Sequence, residues 1–227
     1  MEFGYWGIKG LGETSRLVAA YAGVELKEHN PASKEEWAQQ KAAFGAQFAN
    51  LPYIVDGDFK LTESSAIPVY LAHKGGKTEL LGKDAKEQAQ VVQLAGVIGD
   101  IRQNVLKGLF GKDGHKEAYE EIFKAGSATS VKIEQLSLFL GDKEFFLGHV
   151  TLADFYYAYF SRFFQAVAKA VGVESPFDRH DNLKKLVASV EGLAGVKELV
   201  EKRRQVPYMP PGMLALNIPT DAEVLSQ

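Results

Sequence analysis

Few residues in this 227-residue chain could do chemistry, and the absences narrow the list first. There is no cysteine, which excludes disulfides, thiolate metal sites and a cysteine nucleophile. Any thiol chemistry must therefore use a thiol brought by a ligand. His29, His73, His115, His149 and His180 fall at no metal-ligand spacing, so no metal is expected. What remains is scattered. Tyr5 closes a short aromatic segment and, taken alone, reads as a half-buried strand tyrosine. Leu51-Pro52 precedes a second apolar segment, and Glu63-Ser64 opens a helical one. A helix N-terminus with a serine suits a carboxylate, because free N–H groups and the dipole converge there. Plain capping by Thr62 or Ser64 accounts for the same residues. Trp37 and Lys41 lie at i and i+4, so both side chains can face one ligand. Thr151 and Asp154 make an S/T-x-x-D box before an apolar run, a structural start signal for a helix.

The elements that must position these residues fall into two halves. Residues 3–7 read as a strand, 14–22 as a helix stopped by Gly23, 24–28 as a second strand and 34–44 as a short charged helix. Residues 53–55 and 59–61 flank Asp56-Gly57-Asp58, a strong hairpin signal. Residues 63–73 return to helical spacing, which completes the order β-α-β-α-β-β-α. Residues 74–83 are Gly- and Lys-rich and read as a linker. Thereafter the period stays near that of a helix, over 87–109, 119–140 and 152–171, with shorter helices at 183–190 and 193–203. The third long stretch has little polar surface and is expected to be central and buried. From Val206 onward, Pro207, Pro210, Pro211 and Pro219 exclude continued helix. The fold class is α+β: a small α/β domain over residues 1–75, then an all-α domain over residues 84–227.

Composition bounds the function without naming it. Hydrophobic residues are 46 % and charged residues 24 %, ordinary for a folded globular chain with a sizeable core. A net charge of −3 carries no basic patch for nucleic acid or an anionic membrane. Residues 1–7 show no basic region followed by an apolar run, and no apolar stretch reaches about 18 residues, the length a membrane span needs. A cytoplasmic location is the expectation.

Three stretches carry a resemblance. Gly4-Tyr5-Trp6-Gly7-Ile8-Lys9-Gly10-Leu11 is followed by Arg16-Leu17. Phe48-Ala49-Asn50-Leu51-Pro52-Tyr53 runs through Asp56-Gly57 to Leu61-Thr62-Glu63-Ser64-Ser65-Ala66-Ile67. Gly148-His149-Val150-Thr151-Leu152-Ala153-Asp154 is the third. In order and spacing these resemble the soluble glutathione transferases of the tyrosine type, and within them the mu-like group.

The resemblance implies a thioredoxin-like first domain, an all-helical second domain, and Tyr5 as the hydroxyl that hydrogen-bonds the glutathione sulfur. A thiol with a pKa of about 8.5 is only a few per cent thiolate at neutral pH, so a donor aimed at sulfur selectively stabilises the nucleophile. Glutathione would be a co-substrate, with no other cofactor. It would be held by Trp6, Leu11, Lys34, Trp37, Lys41, Asn50, Leu51, Pro52, Glu63 and Ser64, with Pro52 cis and Asp100 reaching across a dimer. Phe48 would anchor that homodimer. Gln103, Phe110 and Tyr208 would face the hydrophobic electrophile, with Met209 beside Tyr208 as part of a lid. Phe110 stands where some mu-like members have a tyrosine that assists the electrophile. Glu63 stands where the mu-like group usually has Gln, Lys34 replaces Arg and loses its bidentate fork, and the short segment between Asn30 and Trp37 would leave the site more open. The same thiol site would also serve isomerisation or peroxide reduction, and a non-catalytic binding protein would share the fold.

Overall fold

The protein is described by a computed structural model covering residues 1–110, 115–210 and 216–225, without the side chains of Phe110 and Leu225. The first domain is a four-stranded sheet in the order β2-β1-β3-β4. Strand β1 (Glu2–Gly4) pairs in parallel with β2 (Lys27–His29) and antiparallel with β3 (Tyr53–Asp56), which pairs with β4 (Phe59–Thr62). Helix α1 (Glu13–Ala22) supplies the crossover between β1 and β2, α2 (Lys34–Ala43) precedes β3, and α3 (Ala66–Lys74) follows β4. The sheet's core strand residues Phe3 and Ile54 are fully buried, with Val18, Ile67 and Leu71 from the helices also at zero exposure. Antiparallel β3 and β4 are joined at Gly57-Asp58, with Gly57 at φ 62°, so the hairpin forms where the Asp-Gly signal predicts it.

Register decides where chemistry can happen. Gly4 is paired with both His29 and Tyr53, and Tyr53 with Thr62. One row thus crosses all four strands, and the chain leaves the sheet at one end of that row as Tyr5, Asn30, Pro52 and Glu63. Strands β1 and β2 are shorter than predicted, β3 and β4 each run one residue further, and Tyr5 stands one residue beyond β1 rather than inside it.

The linker region contains a 3-10 turn, Thr78–Leu81, before the second domain. That domain holds α4 (Ala85–Phe110), α5 (His115–Phe123), α6 (Ala128–Leu140), α7 (Leu152–Val171), α8 (Asp181–Glu191), α9 (Val196–Lys202) and α10 (Asp221–Leu225). Two sequence expectations need correction. The stretch 119–140 is two helices, because Gly126 takes φ 79° and the Ser127 hydroxyl then caps α6 by accepting the Ser130 N–H at 3.1 Å. The proline-rich tail also regains a helix, α10. The Thr220 N–H and hydroxyl both donate to Glu223, at 2.6 and 2.9 Å, a T-x-x-E signal legible just after Pro219.

Helix α7 is the centre of the molecule, buried along most of its length and packed on α1, α4 and α8. Its start is fixed by Asp154, which is fully buried. One carboxylate oxygen accepts the Phe146 N–H at 2.9 Å; the other accepts the Thr151 N–H at 2.7 Å and the Thr151 hydroxyl at 2.8 Å. Burial pushes the Asp154 carboxyl above the usual carboxylate range, against these donors. Replacing it with alanine strands three buried donors, so Asp154→Ala should cost about 3 kcal/mol of folding stability, read as a lowered urea midpoint with an unchanged slope.

Candidate active site

The end of the sheet row becomes a site because of how the loop after β1 turns back. Residues 5–12 leave the sheet and re-enter the chain as a 3-10 turn, Gly10–Gly12, ahead of α1. The Leu11 N–H donates to the Tyr5 hydroxyl at 2.8 Å. With one oxygen lone pair so engaged, the phenol's own proton is left to be given to something else. Burial raises the Tyr5 pKa above the ordinary tyrosine value, partly opposed by the Leu11 amide and by the charges of Arg16 and Arg102. The hydroxyl is therefore protonated, and a donor, across the physiological range. Such a close turn requires glycine. A Cβ on Gly10 would lie 2.5 Å from the Tyr5 oxygen, and one on Gly12 would lie 2.7 Å from the ring.

The loop is held by buried charges that the sequence reading passed over. Arg16, 3 % exposed, donates to the Ile8 carbonyl at 3.0 Å and forks onto Glu28 at 2.7 and 3.0 Å. Burial opposes its charge, but Glu28 and Glu13 outweigh that and raise its pKa. Glu13 also receives Arg203, just beyond α9, at 2.9 Å. The tail is zipped to the same loop: the Lys9 N–H donates to Pro207 O at 2.9 Å and the Gly10 N–H to Tyr208 O at 3.1 Å. Asp221 of α10 then takes both the Lys9 ammonium and the Tyr208 hydroxyl. On the other side, the Asn30 amide donates to the Tyr5 carbonyl at 3.2 Å.

Leu51, Pro52, Glu63 and Ser64 lie at the same end of the sheet. The Leu51-Pro52 bond is cis, and Leu51 is buried, with no hydrogen bond to its backbone among the described residues. Glu63 is the one described non-glycine residue at positive φ, 77°. That conformation lets its carbonyl accept the N–H groups of Ala66 and Ile67, at 3.0 and 3.1 Å, and so cap α3. Side-chain capping is absent: Thr62 donates to Phe48 O at 2.9 Å instead, and the Ser64 hydroxyl makes no hydrogen bond among the described residues. Trp37 is half-buried and stacks on Tyr53, with ring centroids 6.0 Å apart at 17°. Lys34, Lys41 and Asn50 are exposed.

Above Tyr5 lies a cavity of about 260 Å³ between the domains. Tyr5, Trp6, Ile8, Gly10 and Leu11 form its floor. Arg102 and Leu106 of α4, Tyr159, Phe160 and Phe163 of α7, and Tyr208, Met209 and Pro210 of the tail form its walls. Tyr208 is in the cavity wall, its ring 5.2 Å from that of Phe163. Gln103 is not. It is exposed on α4, about 100° around the helix from Arg102, which faces the cavity in its place. The sequence held a signal for this, since 102 and 106 are spaced i, i+4 beside the buried Ile98, Ile101, Val105 and Leu109. Asp100 is also outside the cavity, exposed and paired with Lys132 at 2.7 Å. The Phe110 side chain lies outside the described residues. Among the described residues no cluster of three or more His, Cys, Asp or Glu could hold a metal ion, and no helix is long and apolar enough to cross a membrane.

Comparison with known proteins shows the family. The family model for the glutathione S-transferase N-terminal domain matches residues 1–73, and that for the C-terminal domain matches residues 99–203. The chain is 30 % identical over 215 residues to a glutathione S-transferase class-mu 26 kDa isozyme 7 of Fasciola hepatica, covering 91 % of each chain. It is 30 % identical to glutathione S-transferase Mu 2 of Homo sapiens, covering 91 % of this chain and 93 % of that one. A class-mu 26 kDa isozyme of Schistosoma mansoni is 40 % identical over 115 residues, about half of either chain at 49 % and 51 %. Among solved structures, the glutathione S-transferase Blo t 8 superposes with a TM-score of 0.80 at 23 % identity, over 93 % of this chain and 97 % of that one, which speaks to the fold. With both domains matched and class-mu relatives aligned along nearly its whole length, the chain belongs to the glutathione S-transferase family.

Proposed function

We propose that the protein conjugates the glutathione thiolate to hydrophobic electrophiles and that Tyr5 activates the thiol. The observation that carries this reading is the Tyr5 hydroxyl: protonated by its burial, its oxygen engaged by Leu11, and opening onto an apolar cavity. A sulfur set against that hydroxyl gains a charge-assisted hydrogen bond only as thiolate. Each unit by which its pKa falls corresponds to about 1.4 kcal/mol of such preference. The cavity then supplies a dry, aromatic surface for the electrophile, so catalysis is thiolate generation plus positioning.

The tripeptide's fit follows from the sheet end. Leu51, buried and without backbone partners, suits main-chain pairing with the cysteinyl residue, as an added strand would pair. The free Ser64 hydroxyl at the start of α3 suits the γ-glutamyl carboxylate, and Glu63 its ammonium. Trp6, Leu11, Asn50 and Pro52 complete the glutathione site in this reading, together with Trp37, Lys34 and Lys41 of α2. Glutathione is the co-substrate. Asp100, which has no role inside its own chain's cavity, completes the amine contact as Asp100 of the partner subunit.

A homodimer is part of the same proposal. Phe48 is 70 % exposed on the loop between α2 and β3. A groove of about 890 Å³ runs between α3 and α4, lined in part by Val69, Val91, Val92, Ala95 and Tyr156, with Val92 72 % exposed. An exposed aromatic and an exposed apolar groove are the two halves of an anchor contact in a two-fold pair. In Phe48→Ser, light scattering after size-exclusion should show dissociation to monomer at micromolar concentration while the wild type stays dimeric.

The activity test is conjugation of glutathione to 1-chloro-2,4-dinitrobenzene at about pH 6.5, where a free thiol is almost wholly protonated. Tyr5→Phe should lose about 10- to 100-fold in kcat/KM while keeping most of its glutathione affinity, the worth of one hydrogen bond to a charged group. A wild type that binds glutathione but conjugates nothing would move the reading to a narrow isomerase, a peroxidase or a binding protein. A wild type that does not bind glutathione would remove the site assignments altogether.

A further inference from the structure

Among the described residues, the cavity above Tyr5 is lined by one charge that its hydrophobic surroundings do not explain. Arg102 projects from α4 into the wall, half-buried, with its guanidinium 5.6 Å from the centre of the Phe160 ring. Among the described residues none that lines the cavity is acidic, and none makes an ion pair or hydrogen bond with Arg102. This contrasts with the other buried and half-buried arginines nearby. Arg16 has Glu13 and Glu28, Arg162 has Glu191 at 2.7 Å, and Arg203 has Glu13. A guanidinium removed from water forgoes solvation that a carboxylate usually replaces, and its planar fork of donors matches a carboxylate in two bonds. Burial accordingly pulls the Arg102 pKa down from the ordinary guanidinium value, with Tyr159 and Tyr5 only partly opposing it.

Resting on the transferase reading above, we propose that Arg102 binds a carboxylate carried by the electrophile, so that this site takes anionic aryl or vinyl electrophiles in preference to neutral ones of the same shape. The cavity's aromatic walls would take the body of such a molecule and Arg102 its charged end, which also fixes the orientation of the reacting carbon toward the sulfur.

The test uses 4-chloro-3,5-dinitrobenzoate and its methyl ester, which share a ring and differ in charge. In each, the thiolate sulfur bonds to the carbon bearing chlorine and the C–Cl bond breaks. Chloride leaves with the electron pair, and the thiol proton passes to solvent. The expected result is a carboxylate-to-ester ratio of kcat/KM that falls about 10- to 100-fold in Arg102→Leu and recovers in part in Arg102→Lys. An arginine that acted only through Tyr5 would change both substrates alike and leave the ratio alone. The unreactive 3,5-dinitrobenzoate and its methyl ester, titrated calorimetrically into wild type and both variants, give the same comparison without turnover. Loss of carboxylate binding in Arg102→Leu supports the proposal even if neither chloride is conjugated, in which case the transferase reading alone fails. An unchanged ratio in Arg102→Leu, or wild type that binds the ester as well as the carboxylate, overturns it.

Discussion

The bond from the Leu11 amide to the Tyr5 hydroxyl is the constraint around which the site is arranged. A phenol has one proton, and a buried phenol keeps it. Once the oxygen is engaged by a backbone donor, the proton is directed outward toward whatever ligand arrives. The arrangement requires the chain to double back within six residues, which brings glycine to positions 10 and 12 and leaves no room there for a side chain.

That loop is not held by its own domain alone. Arg16, Glu13 and Arg203 form a nearly buried chain of charges running from the sheet side through α1 to the residue after α9, and Lys9, Asp221 and Tyr208 form a second one through α10. Two main-chain bonds from Lys9 and Gly10 to the tail lie between them. Buried charges are costly when one partner is lost, so such chains favour a single relative placement of the pieces they join. The helical domain thereby does two things at once. It completes the apolar cavity and it fixes the geometry of the loop that carries Tyr5.

The first domain contributes rigidity of another kind. Strand pairing sets Gly4, His29, Tyr53 and Thr62 in one row, so the residues after β1, β2 and β4 and the residue before β3 emerge at the same end. Residues far apart in sequence, such as Tyr5 and Pro52, become neighbours by register rather than by side-chain contact. Glu63 takes a positive φ there, and its carbonyl takes over the capping of α3. The Ser64 hydroxyl is spared that task and remains available to a ligand.

The sequence alone determined the two-domain order, the hairpin at Asp56-Gly57, the central apolar helix after the Thr151–Asp154 box and the motifs that point to this family. These are local signals: a period, a turn dipeptide, a cap. The stretch 119–140 reads as one helix because its period continues across a break made by one glycine and one serine cap. The family resemblance implies Tyr5 as a donor to the sulfur, but the amide six positions away that engages its oxygen and its burial are not legible in the sequence. Arg102 was invisible for the same reason. A charge on a long helix is solvated by default, and only the packing of α4 against α7 and the tail turned it into the single unpaired cation among the described walls of an apolar cavity. The sequence fixes which groups exist and which elements carry them. The tertiary structure decides which of those groups lose water together, and the loss of water is what changes their chemistry.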